Sequence, residues 1–151
     1  MKKAVLIFLS CAWGFPMTFI GLLATLALLI TGHKPKQYGI GWYFVVGSRW
    51  GGVNLGLTTI VCAISEKDGH TLKHETGHAL QNCVFGVLMP FLVCIPSAVR
   101  YWWRIYQKRK GNQNLPEYDA VWFEGQATRW GYAYMEETDN LVKEMVGDNN
   151  G

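Results

Sequence analysis

No histidine follows His78, no two cysteines form a Cys-x-x-Cys pair, and no charged residue occurs from Ala4 to Ile30 or from Cys83 to Val99. Each absence removes a class of protein. Cys11, Cys62, Cys83 and Cys94 lie far apart within apolar runs, which predicts buried free thiols and argues against a disulfide framework or a cysteine metal site. A formal net charge of +3 over 151 residues, with the basic residues concentrated in one stretch, leaves no footprint for a nucleic-acid partner. The scarcity of charge over two long stretches points toward lipid instead.

What is present is an apolar, aromatic-rich chain, with seven Trp, seven Tyr and seven Phe, long enough for one domain. The run after Met1-Lys2-Lys3 exceeds the ~20 residues that cross a bilayer. Residues 1–31 therefore read as a retained transmembrane anchor, with Gly14 and Pro16 tolerated as a kink. A cleaved signal peptide is the alternative, with Ser10-Cys11-Ala12 as a poor cleavage site. The second run, 83–99, is followed by Arg100, Arg104, Lys108, Arg109 and Lys110, interleaved with Tyr101, Trp102, Trp103 and Tyr106. Aromatic residues beside a basic cluster suit a membrane interface. Pro90 and Pro96 break the run, which predicts a non-spanning, re-entrant or core segment. The location implied is a membrane, such as a bacterial inner membrane or its equivalent. The side the domain faces stays open, because Lys2 and Lys3 and the later basic cluster favour incompatible orientations.

Between the two runs the hydrophobic period changes. Trp42–Val46 and Leu57–Ile64 are rich in aromatic and β-branched residues and are punctuated by Gly47, Gly51, Gly52 and Gly56, which predicts short strands. Residues 65–69 read as a turn, with Asp68 or Thr71 capping a helix that carries Leu72, Thr76, Ala79, Leu80 and Cys83 at helical spacing. That helix contains HETGH. Histidines at i and i+4 stand one above the other on a helical face, so His74 and His78 can offer their imidazoles to one metal ion. Glu75, next to the first of them, is placed to take a proton from a metal-bound water. The plainer alternative is a helix with two surface histidines.

From Trp42 to Tyr134 this organisation resembles the zincin metallopeptidases, in which a strand precedes an active-site helix bearing HExxH; in identity the likeness rests on HETGH and one later glutamate segment. It implies an α+β zincin-like domain over 32–135, a Zn2+ cofactor held by His74 and His78, and Glu75 as general base. With no histidine after His78, the metzincin arrangement is excluded. Gluzincin-type enzymes take their third ligand from a glutamate on a later helix, which implies Glu124, in YDAVWFEGQATRWG. Trp122, Phe123, Trp130 and Tyr132 also place that carboxylate among apolar groups, where it needs a cation. Asp119, Glu117 and Glu66 are the other candidates. Four residues after the glutamate, where the family often carries an acid, this chain has Thr128, which can still make one hydrogen bond.

The resulting expectation is a membrane-anchored zinc peptidase whose partners are a peptide or protein substrate and membrane lipid. Tyr118, Arg129, Tyr132 and His70 are candidates to stabilise an oxyanion. The stretch Gly51–Gly56 is a candidate strand edge for substrate, or a plain turn. Two alternatives remain open. One is an intramembrane protease resembling the site-2 family, with Asp119 near Asn114-Leu115-Pro116 as a ligand; the other is a non-enzymatic membrane protein with an inert HETGH. Residues 136–151 read as a polar, solvated tail.

Overall fold

The structure, a computed structural model, describes residues 3–147. The first uncharged run does not form one helix. It folds as α1 (Lys3–Ala12) and α2 (Phe15–Ile30), bent by 96° at Trp13 and Gly14. Pro16 sits in the first turn of α2, where its missing N–H costs nothing, and so starts a new helix. Gly14 leaves room for Asn82, whose Nδ2 donates to the Gly14 carbonyl at 3.2 Å. Among the described residues no single helix is long and apolar enough to cross a membrane, so in place of the expected anchor over 1–31, kinked at Gly14 and Pro16, the chain forms two separate helices. Met1 and Lys2 lie outside the described residues.

Helix α2 is patterned inside out. Its buried stripe is Met17, Gly21 and Thr25, whereas Phe19, Leu22, Leu23, Leu26 and Ile30 are exposed. At Gly21 a Cβ would stand only 2.0 Å from the Leu55 carbonyl oxygen, so glycine permits backbone contact with the sheet. Thr25 Oγ1 hydrogen-bonds Thr58 Oγ1 at 2.9 Å and accepts from Trp42 Nε1 at 3.0 Å.

The sheet contains β1 (Lys36–Tyr38), β2 (Gly41–Val45), β3 (Gly52–Leu55) and β4 (Thr58–Val61), in the order β1-β2-β4-β3. Strands β3 and β4 form a hairpin through Gly56 and Leu57, with φ of +70° at Gly56, a value open to glycine. Strand β4 inserts parallel to β2, pairing Trp42 with Thr58 and Val45 with Val61. This leaves β3 at the edge of the sheet.

Residues 65–68, expected in a turn, finish a short helix α3 (Ala63–Asp68), closed by Gly69 at φ +70°. Helix α4 (His70–Phe85) begins directly after it, and Gly69 holds the cap position rather than Asp68 or Thr71. On α4 the residues from His74 to Ala79 are all buried. Its apolar members pack with Leu6, Ile40 and Leu57 on one side, and Leu72 packs with Tyr43 and Val61 on another.

The second uncharged run also bends. After Phe85 come a 3-10 turn (Gly86–Leu88), a π-helical stretch (Pro90–Cys94) and α5 (Ile95–Arg109), and the axis turns by 117°. The run therefore forms no straight span. Helix α5 has no buried residue. A 3-10 turn at Tyr118–Ala120 then leads into α6 (Trp122–Gly147). Residues 136–147 of the expected tail continue α6, and 148–151 lie outside the described residues. The four cysteines are unpaired; Cys62 and Cys83 are buried and Cys94 is half-buried, but Cys11 is exposed.

Candidate metal centre

Helices α4 and α6 approach closely because each presents glycine where they touch. A Cβ on Gly77 would fall 1.8 Å from the Ala127 carbonyl oxygen, and one on Gly131 would fall 1.8 Å from that of Lys73. This contact sets Glu124, on the first turn of α6, against the two histidines of α4. Its Oε2 lies 3.1 Å from His74 Nε2 and 3.3 Å from His78 Nε2. All three residues are buried, Glu124 completely.

The far nitrogen of each imidazole is engaged. Thr128 donates its hydroxyl proton to Asp119 Oδ2 at 2.7 Å, so at 2.8 Å from His74 Nδ1 its oxygen accepts the Nδ1 proton. Gln81 donates from Nε2 to the Phe123 carbonyl at 2.8 Å and to Gln126 Oε1 at 2.9 Å. Its Oε1 therefore accepts from His78 Nδ1, 2.8 Å away. With both protons held at Nδ1, the two Nε2 lone pairs and a carboxylate oxygen face one another. Three acceptors so arranged require a cation between them, either a proton on an imidazole or a metal ion.

Their donor atoms all lie within 4.8 Å of one another, so the group can hold one metal ion. The two separations from Glu124 Oε2, 3.1 and 3.3 Å, also suit a tetrahedral site, in which bonds of about 2.0–2.1 Å place neighbouring ligand atoms about 3.3 Å apart. Burial pushes the Glu124 carboxyl up, but the pull of the neighbouring His74 and His78 imidazoles outweighs it and holds the group below the usual carboxylate range. Ser97 donates to its other oxygen, Oε1, at 2.5 Å.

Glu75 is buried beside the group and lines a cavity of about 600 Å³. Burial raises its carboxyl above the ordinary value, against the opposing pull of His78 and His74. Its Oε2 has no hydrogen-bond partner among the described residues. A buried, unpaired carboxylate oxygen costs free energy unless water or a ligand meets it, and here it borders a cavity.

The other sequence candidates separate clearly. Asp119 lines the cavity but is tied to Thr128 and lies outside the His/His/Glu group. Glu66 is held by Lys36 Nζ at 2.6 Å and the Tyr43 hydroxyl at 3.0 Å, and Glu117 offers its carbonyl to Arg100. Tyr118 and His70 line the cavity, as do residues 50–55; Arg129 and Tyr132 do not. Gln81 escaped the sequence reading, although its position three residues after His78 on the same face was a usable signal. No protein-family model, curated protein or solved structure matches the chain.

Proposed function

We propose that the protein is a membrane-associated zinc-dependent peptidase. The observation that carries this reading is the convergence of three acceptors, His74 Nε2, His78 Nε2 and Glu124 Oε2, beside the unpaired Glu75 oxygen at a cavity. Two histidines and a glutamate are a donor set of catalytic zinc, which leaves one coordination position for water or substrate. Bound there, zinc supplies a Lewis acid that makes water nucleophilic near neutral pH and polarises a carbonyl.

The chain's own groups handle position and protons. Glu75 takes a proton from the attacking water as the new C–O bond forms, and passes it to the amine nitrogen as the C–N bond breaks. Its raised affinity for a proton suits both steps. Tyr118, whose hydroxyl is pushed up to about 12 by burial, stays protonated at neutral pH and serves as a donor to developing charge on oxygen. Edge strand β3 offers unpaired backbone groups to an extended substrate. Membrane association is supported by the inside-out pattern of α2 and by the Trp and Arg residues of α5.

Zinc analysis of the detergent-purified protein, paired with peptide hydrolysis, tests the reading. Wild-type protein binds one zinc per chain. Glu75→Gln keeps it and loses about 100-fold or more in hydrolysis, while Glu124→Ala loses the metal. Wild type without stoichiometric zinc would favour the non-enzymatic alternative, and zinc lost in Asp119→Ala but retained in Glu124→Ala would favour the site-2-like one.

A further inference from the structure

We propose that the cavity beside the metal centre receives an apolar side chain from an internal stretch of substrate, so that the substrates are apolar segments cleaved away from their ends. The inference rests on the peptidase reading and adds the substrate class to it. The cavity has two kinds of lining. His74, Glu75 and His78 bring polar atoms to it; Met17, Leu55, Met89, Val93, Cys94 and Ala98 bring apolar ones. Met17, Met89 and Val93 belong to one buried cluster, and Cys94 Sγ lies 3.8 Å from Met17 Sδ. These are flexible or small side chains, which adapt to varied apolar shapes better than a rigid aromatic floor. The volume, about 600 Å³, falls within the range that encloses organic ligands.

Charge restricts the class further. No Lys or Arg occurs among the described residues lining the cavity. A substrate Asp or Glu side chain seated against Met17, Met89 and Val93 would surrender its water with no lysine or arginine to pair with, whereas an apolar side chain gains by the same transfer. Asp119 Oδ2 accepts the Thr128 proton and Glu75 is held for the proton of the attacking water, so a substrate amine would compete with both roles. The cavity rim continues this chemistry through Trp50, Val53 and Trp102, all exposed. A chain reaching the centre thus crosses an apolar threshold before its peptide bond meets Glu75.

Peptides blocked at both ends and differing only in one central residue, Leu or Asp, test the proposal. With zinc-loaded wild type, kcat/KM for the Leu peptide should exceed that for the Asp peptide by about 100-fold or more, a scale set by leaving a charge unpaired. Ala98→Trp should lower the Leu rate at unchanged zinc content. The Glu75→Gln protein, titrated calorimetrically with the same peptides, should bind the Leu peptide at least about 10-fold more tightly. Hydrolysis with no Leu preference, or with faster cleavage of free-ended peptides, would overturn the inference while leaving the peptidase reading intact. Selective binding of the Leu peptide without hydrolysis by wild type would support the pocket and sink the peptidase reading. Binding of phospholipid acyl chains that the Leu peptide fails to displace would overturn the inference as well.

Discussion

Thr128 spends its hydroxyl twice, giving a proton to Asp119 and receiving one from His74, and so carries the Asp119 carboxylate's influence to an imidazole of the candidate centre. Removing the relay while keeping its volume should let the His74 ring turn. Thr128→Val is expected to weaken zinc binding about 10- to 100-fold in chelator competition, with Thr128→Ser restoring most of it. A purely structural role would leave Ser and Val variants alike. The histidine pair was legible in the sequence because helical period is local, and Glu124 because the resemblance to gluzincin-type enzymes implied a later glutamate and its apolar flanks agreed. Asp119 was not legible as a support, since its place depends on the 3-10 turn at 118–120 and the path of the chain into α6.

The contact between α4 and α6 is made of backbone, which makes Gly77 the sensitive position of the pair. Gly77→Ala should force the helices apart, lower stability by about 1–3 kcal/mol and shift the thermal midpoint even with chelator present. At the other end of the sheet, Lys36, Tyr43 and Glu66 join β1, β2 and α3. Hydrogen bonds from Lys36 and then Tyr43 hold the Glu66 carboxyl below its usual value of 4.5. A depressed carboxyl stabilises the fold above its unfolded value and loses that contribution as pH falls through the folded one. Glu66→Gln should therefore flatten stability against pH in the acid range below about 4.5, as measured by denaturant titration at successive pH values. Among elements, Gly14, Pro16, Pro90 and Pro96 marked where the two runs break, but not how sharply they turn. Hydropathy does not record that Asn82 meets Gly14, or that Gly86 lies under Trp13, and those two contacts occur where both uncharged runs turn.

Taken whole, the molecule places small and polar groups, Ser10, Gly21, Thr25 and Asn82, inside, and much of its large apolar surface outside, with Ile30 86 % exposed and Trp102 65 % exposed. That distribution accords with the proposed membrane association. At about 24 Å, α2 is shorter than the roughly 30 Å hydrocarbon layer, which suits entry from one side. Single cysteines at Lys67 and Asn112, in a cysteine-free background in sealed vesicles, should react with an impermeant thiol reagent from the same side; labelling from opposite sides would contradict a non-spanning 83–99. The exposed helix α5 and the candidate centre also meet in one carboxylate, since Glu124 turns Oε2 to the histidines and Oε1 to Ser97 of α5. A group shared in this way is a lever with two arms. Free-energy coupling is reciprocal, so under the proposed reading a bilayer pressing α5 inward would alter the hold on an ion, and loading an ion would alter how firmly α5 met the bilayer.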